Sequence, residues 1–119
     1  MSSKPEELRD RTKAFALRVI RLFRSLPNRT DTQVLGKQLL QCGTSVAANY
    51  RAACRARSKA EFVARIGIVA EEADESVLWL ELLIESGIIK SEMTVGLLKE
   101  AKELAAILTA SQGTAKRAA

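Results

Sequence analysis

Apolar and polar residues alternate along the chain with the period of an α-helix in four separate segments. The third segment is the clearest, because its mostly apolar positions follow one another at intervals of four and three residues. This spacing places them on one face of a helix. They are Phe62, Ile66, Val69, Ala73, Ser76, Leu80 and Leu83. With similar stripes elsewhere, the pattern predicts helices over 5–26, 31–56, 59–86 and 91–111.

Capping residues mark the predicted ends of these helices. Thr30-x-x-Gln33 and Ser58-x-x-Glu61 have the capping-box pattern, which predicts the starts of the second and third helices. Gly87 follows the third helix, where a glycine readily adopts the left-handed conformation that ends helices.

The third helix carries a second stripe beside the first. Its members are Ile68, Glu72, Glu75, Trp79 and Leu82. Two stripes on one helix indicate two neighbouring helices. Four helices joined by short turns therefore predict an all-α fold, an antiparallel up-down-up-down four-helix bundle, in a single domain over residues 1–119.

The second helix has a heptad seam that is interrupted by one polar residue. The seam consists of Leu35, Leu39, Cys42, Val46, Asn49, Ala53 and Ala56. An Asn in such a seam costs stability and sets register or partner choice. We expect Asn49 and Glu75 to form a polar core, with Glu75 facing inward to meet Asn49 or Arg51, because an unpaired buried carboxylate costs several kcal/mol.

Charge is distributed unequally along the chain. The 119 residues have 19 Lys and Arg against 14 Asp and Glu, a net charge of +5. Residues 1–60 hold 13 basic and 4 acidic residues, whereas residues 61–119 hold 6 and 10. The basic half is suited to attract nucleic acid, or the two halves attract each other within or between subunits.

Two groups of basic residues are candidate nucleic-acid contacts. The group on the first helix is Arg11, Arg18, Arg21 and Arg24, and the group at the corner between the second and third helices is Arg51, Arg55, Arg57 and Lys59. Phosphate binding is one interpretation. The other is structural: Arg stems cover apolar surface, and cations complement the dipole at a helix C-terminus.

The sequence argues against catalysis and metal binding. With no His, the chain lacks the usual base for a Ser or Cys nucleophile, and Glu72 and Glu75 lack the Glu-x-x-His motif of di-metal bundles. Its interior glycines are isolated rather than grouped in a phosphate-binding loop. We expect no catalytic residue, no metal site, no cofactor and no enzymatic activity.

The cysteines and the hydropathy indicate a cytoplasmic protein with no membrane association. Cys42 and Cys54 fall on one helix, about 18 Å apart, too far to form a disulfide. Free thiols are typical of a reducing compartment. Glu81 and Glu85 interrupt the most apolar run before it could span a bilayer.

Several of these residues occur together in a recognisable order. The order is Ser45-Val46, Asn49, Arg51, Arg55, Arg57, Ser58, Glu61-Phe62, Glu75 and Leu82 to Gly87. The chain thereby resembles the four helix bundle protein family, also called the 23S rRNA intervening-sequence protein family. Its members are encoded within intervening sequences of bacterial 23S rRNA genes.

The resemblance implies more than the residues themselves do. It implies a structural role for Asn49 and Glu75. A related branch, the accessory protein of diversity-generating retroelements, forms a homopentameric ring that binds a reverse transcriptase and its RNA. A homopentamer, RNA and a reverse transcriptase or other protein are therefore expected partners.

Two functional hypotheses follow. The first is a non-enzymatic oligomer that binds RNA, or an enzyme acting on nucleic acid, through its basic face. The alternative is a structural or adaptor homo-oligomer whose basic face docks an acidic protein partner without nucleic acid.

Overall fold

The computed structural model describes residues 4–118, and within that range four helices account for nearly all of the chain. They are α1 (Pro5–Ser25), α2 (Thr30–Cys54), α3 (Lys59–Glu85) and α4 (Ser91–Arg117). No strand occurs among the described residues, which confirms the all-α prediction. Consecutive helices pack against each other and α1 also meets α4, so the four helices share one core in an elongated body of 48 × 23 × 20 Å.

The first stripe of α3 lies at the centre of this core, as predicted. Ile66, Val69, Leu80 and Leu83 are fully buried there. The other helices contribute the fully buried side chains of Phe15, Val19, Leu39, Val46, Leu104 and Leu108. Burying this much apolar surface is the main favourable term in forming the fold.

Small residues on α2 let α1 approach closely. A Cβ placed on Gly43 would lie 2.9 Å from Cγ2 of Val19, and one placed on Gly36 would lie 2.8 Å from Cδ1 of Leu26. Since real Cβ atoms essentially never come this close to other atoms, Gly43 lets α1 approach α2 at Val19, and Gly36 leaves room for the Leu26 side chain just after α1.

The helix starts agree with the sequence at one of the two predicted capping boxes. At α3, the Ser58 hydroxyl accepts a hydrogen bond from the Glu61 amide at 3.1 Å, and the Glu61 carboxylate accepts one from the Arg57 amide at 2.7 Å. At α2 the prediction is wrong: Arg29 occupies the N-cap and Thr30 is already helical. The acidic residue in the first turn of α2 is Asp31, whose carboxylate accepts a hydrogen bond from the Thr32 amide at 2.8 Å.

The helix ends differ from the predicted ones by one to six residues. The first two helices stop at Ser25 and Cys54, before the predicted 26 and 56, whereas α4 continues to Arg117 instead of stopping at 111. A long-range contact supports the longer α4, because the Gln112 side chain donates a hydrogen bond to the Val63 carbonyl of α3 at 3.5 Å. Gly87 has φ +83° and follows α3 as predicted.

The second stripe of α3 is only partly covered. Trp79 packs against the core and Glu72 is half-buried, whereas Glu75 is exposed, as are Ile68 and Leu82 at 44% and 39%. The two neighbours predicted for α3 are present, since α2 and α4 both pack on it, but they leave the outer part of this stripe exposed. An open groove lies here between α2 and the stripe, and Ser45 and Ala48 of α2 line it together with Glu72 and Glu75.

Candidate nucleic-acid interface

Arg11 belongs to an ion-pair cluster and not to a free basic face. Its guanidinium donates two hydrogen bonds to Glu100, at 3.0 and 2.6 Å, and one to Glu103 at 3.3 Å. The hydrogen bond to Glu100 is the main reason that the pKa of Arg11 is raised. Arg11 therefore joins α1 to α4, and its assignment as a phosphate contact is corrected.

The other three arginines predicted on α1 are exposed and follow one another at intervals of three residues. Arg18 lies over α4, where a Cβ on Gly96 would be 3.1 Å from its Nη2 atom. Arg21 and Arg24 are exposed on α1. Within residues 4–118, none of the three has a carboxylate oxygen within 4.0 Å. All three are available cations.

A basic groove lies between α1 and α2. Arg9 and Lys13, one helical turn apart on α1, face Arg51 of α2 across a cavity of about 430 Å³. Thr44, Ala47 and Ala48 form the remaining lining. Sequence reasoning did not select Arg9 and Lys13; their i, i+4 spacing opposite the small residues of α2 was the available signal.

The corner cluster, formed by Arg55, Arg57 and Lys59, continues the basic surface beyond Arg51. All four side chains are exposed, as the sequence led us to expect. No carboxylate among the described residues lies within 4.0 Å of their cationic nitrogens. The Ser58 capping box fixes the turn that carries them. The groove and the corner cluster together present six exposed cations.

Asn49 and Glu75 do not form the predicted polar core. Asn49 is half-buried and donates to the carbonyl and the hydroxyl of Ser45 on its own helix, at 3.0 and 2.7 Å. Glu75 is exposed and accepts from the Cys42 thiol at 3.4 Å. Since α2 and α3 run in opposite directions and Cys42 faces Glu75, Asn49 lies about 10 Å further along the pair of helices. Neither Asn49 nor Arg51 makes a described hydrogen bond or ion pair with Glu75.

Cys42 forms a small cluster with two carboxylates. One ligand atom each from Cys42, Glu72 and Glu75 lie within 4.8 Å of one another. Burial, followed by the hydrogen bond to Glu75, raises the pKa of the Cys42 thiol to about 12, although Trp79 acts in the opposite direction. The thiol is therefore protonated at neutral pH. Sequence reasoning weighed the two glutamates for metal binding without this thiol.

The two charged surfaces of the chain lie on opposite sides of α2. Glu72 and Glu75 line the groove between α2 and α3, and Thr44 and Ala48 line both this groove and the basic one. The exposed face of α2 thus separates a basic groove from an acidic one.

Among residues 4–118, no helix is both long and apolar enough to cross a membrane.

Comparison with known proteins identifies the family. The model of the 23S rRNA-intervening sequence protein family matches residues 6–110. The chain belongs to this family. The resemblance recognised in the sequence is thereby confirmed. Among curated proteins, none is significantly similar.

A solved structure supports the same assignment for this 23S rRNA-intervening sequence protein. It is a crystal structure of a protein of unknown function from the S23 ribosomal protein family of Bacteroides thetaiotaomicron VPI-5482. The two sequences are 33% identical, and the match covers 93% of this chain and 99% of the other, with a TM-score of 0.85.

Proposed function

We propose that this family member is a non-enzymatic, homo-oligomeric protein that binds RNA through the phosphate backbone. The observation that carries the proposal is the set of exposed cations without acidic partners among the described residues. They are Arg9, Lys13, Arg51, Arg55, Arg57 and Lys59. Cations that are not already paired within the protein are free to replace the counterions of a nucleic acid.

The lining of the basic groove favours recognition of the backbone over recognition of bases. Ala47 and Ala48 are short enough for a phosphate to approach the cations. No aromatic side chain lines the groove, because Tyr50 is 4% exposed and Trp79 lies on the α3 side. Without a stacking platform, RNA binding is expected to tolerate many sequences and to depend strongly on salt. RNA is proposed as the nucleic acid because the resemblance to the retroelement accessory protein, which binds a reverse transcriptase and its RNA, implies it.

Two further features support a role in binding instead of catalysis. The chain has no His. Its buried Cys42 thiol, with a pKa raised to about 12, is a poor nucleophile at neutral pH. Cys42 and Cys54 are both free, which suits the reducing cytoplasm in which we place the protein.

The proposal includes assembly into a homopentameric ring, as the resemblance to the retroelement accessory protein implies. A ring repeats the basic groove in every subunit. Several weak phosphate contacts on one RNA then act together, because each contact raises the effective concentration for the next.

Fluorescence anisotropy with a labelled single-stranded RNA of mixed sequence tests the proposal. A groove variant, Arg9→Glu with Arg51→Glu, is compared with a control variant, Lys99→Glu with Lys102→Glu, which removes the same charge from exposed positions on α4. The groove variant should lose at least ~10-fold in affinity and the control little. Equal losses in the two variants would show that net charge alone drives binding.

Absence of RNA binding at low salt would favour the alternative function, an adaptor whose basic groove docks an acidic protein. The same cations would then form ion pairs with the carboxylates of that partner. Oligomeric state is measured on the same samples, so that loss of RNA binding is separated from loss of assembly.

A further inference from the structure

The outward face of α3 carries a regular stripe of exposed apolar and acidic residues. The α3 outer stripe consists of Ile68, Glu71, Glu75, Leu78, Leu82 and Glu85. Their spacing of three and four residues puts them on one face. Ile68, Leu78 and Leu82 are 44%, 47% and 39% exposed, and they are three of the six large hydrophobic side chains exposed in the described chain.

The rest of the described chain leaves this stripe exposed, although the Cys42 thiol of α2 donates a hydrogen bond to Glu75. The opposite face of α3 packs on α2 and α4, and the α1 and α3 backbones do not come within 8 Å of each other in Cα–Cα distance. The six positions follow the 3-4 spacing of a heptad seam, with apolar side chains at three of them and Glu at the other three. Such spacing is typical of a helix that packs against another helix. An exposed stripe of this kind indicates an interaction surface.

A second exposed stripe, with the opposite charge, lies on the outward face of α1. The α1 outer stripe consists of Lys13, Leu17, Arg21 and Arg24. Leu17 is 43% exposed. No carboxylate among the described residues lies within 4.0 Å of the three cations. The sequence between Asp10 and Asp31 has no acidic residue.

Charge decides which stripes of two copies fit together. Two α3 outer stripes would place Glu against Glu, and two α1 outer stripes would place Arg against Arg, both of which are unfavourable. An α3 stripe against an α1 stripe pairs carboxylates with cations and brings Leu17 against the exposed apolar residues of α3. The stripes span about 26 Å and about 17 Å along their helices, so the shorter one fits within the longer one.

We propose that the α3 outer stripe of one copy packs against the α1 outer stripe of the next copy. This inference rests on the homo-oligomer of the proposed function and names the surfaces that form it. The two surfaces are different and lie on different helices of the chain, so the interface is heterologous. Such an interface closes into a ring or continues as an open polymer, depending on the rotation between subunits.

The pairing leaves most of the RNA-binding surface free. Arg9, Arg51 and the corner cluster are outside both stripes, and only Lys13 belongs to a stripe and to the basic groove. Assembly and RNA binding are therefore separable by mutation.

Charge reversal followed by sedimentation velocity and native mass spectrometry tests the interface. One variant carries Glu71→Arg, Glu75→Arg and Glu85→Arg, and a second carries Lys13→Glu, Arg21→Glu and Arg24→Glu. A third combines all six substitutions. A control reverses three charges elsewhere, with Arg55→Glu, Arg57→Glu and Lys59→Glu. Circular dichroism confirms that each variant is folded.

The wild type should be an oligomer, and each three-residue reversal should weaken assembly by at least ~100-fold, because like charges then face each other. The combined variant should assemble again, since its charges are complementary in the reversed sense. The control should remain an oligomer and lose RNA affinity. The acid-reversed variant should retain RNA binding by each chain.

Three results would overturn the interface. They are a wild-type mass of one chain, an unchanged mass in either three-residue variant, or a combined variant that stays monomeric while folded. If a reversed variant does not fold, Leu78→Ala replaces it, because this side chain is 47% exposed and lies outside the core cluster. The substitution should still weaken assembly. RNA binding is read separately, so these results do not decide the proposed function.

Discussion

Arg11 and Glu100 join the first and last helices through a bidentate ion pair, with N–O distances of 3.0 and 2.6 Å. The two residues are 89 positions apart in the sequence. Because α1 packs mainly on α2, this pair is a principal polar connection between α1 and α4. Arg11, which the sequence suggested as a phosphate contact, therefore has a structural role.

Arg11→Met should therefore lower the free energy of unfolding by about 0.5–1 kcal/mol, a modest value because both side chains are partly exposed. Urea denaturation measures it. Lys99→Met is the control, because it also replaces one cation by Met, at an exposed position. It should change stability by less. Equal changes in the two variants would show that the ion pair contributes nothing.

Ser58 and Thr30, at the starts of α3 and α2, give a matched test of capping. Ser58→Ala should destabilise the protein by about 1 kcal/mol, because it removes the acceptor for the Glu61 amide. Thr30→Ala should have almost no effect, because Thr30 caps nothing. Thermal denaturation of both variants measures the difference, and a larger loss for Thr30→Ala would contradict the assigned start of α2.

Two glycines in helices should respond in opposite ways to alanine. At Gly96 the nearest atom to a new Cβ is the flexible end of Arg18, at 3.1 Å, so the better helix propensity of Ala should stabilise the protein by about 0.5–1 kcal/mol. At Gly43 the new Cβ meets the buried branched side chain of Val19. Gly43→Ala should be less stable than Gly96→Ala by about 1–3 kcal/mol in urea denaturation. Equal stabilities would mean that α1 moves away from α2 without cost.

The Cys42 thiol should make the protein less stable in alkaline solution. Its pKa rises from the usual 9.0 to about 12 on folding, mainly through burial. Between these pH values the unfolded chain releases the proton and the folded chain retains it, so stability is present below pH 9.0 and is lost towards pH 12. Tyr50, whose pKa is also raised, adds to the effect.

Urea denaturation of the wild type and of Cys42→Ala, below pH 9.0 and in the interval up to about 12, isolates the thiol. The wild type should lose more stability across the interval than the variant does. Parallel losses would assign the alkaline effect to Tyr50 and other groups.

The sequence predicted those features that depend on local pattern. The buried stripe of α3 is visible as a heptad repeat, and the Ser58 capping box is visible because both of its partners lie within one turn. The open second stripe of α3 shows the limit of this reasoning. An apolar spacing reveals that Ile68 and Leu82 need a neighbour, but not whether that neighbour is in the same chain.

Other features depend on contacts between distant segments and could not be read from spacing. Arg11 finds Glu100 only when α1 meets α4, and Gln112 reaches the Val63 carbonyl only when α4 packs on α3. The separation of Asn49 from Glu75 follows from the axial register in which α2 packs against α3. The basic groove likewise appears only when Arg9 is placed opposite Arg51.

The salt dependence of RNA affinity tests the central claim most directly. Anisotropy titrations of the wild type and of the Arg9→Glu, Arg51→Glu variant are compared between about 50 and about 200 mM salt. We predict that the logarithm of the wild-type association constant falls linearly with the logarithm of salt concentration, and that the slope is shallower by at least ~1 in the variant, because two phosphate contacts are lost. No wild-type binding at the lowest salt, or identical slopes in the two proteins, would contradict the assignment of the α1–α2 groove as an RNA-binding surface.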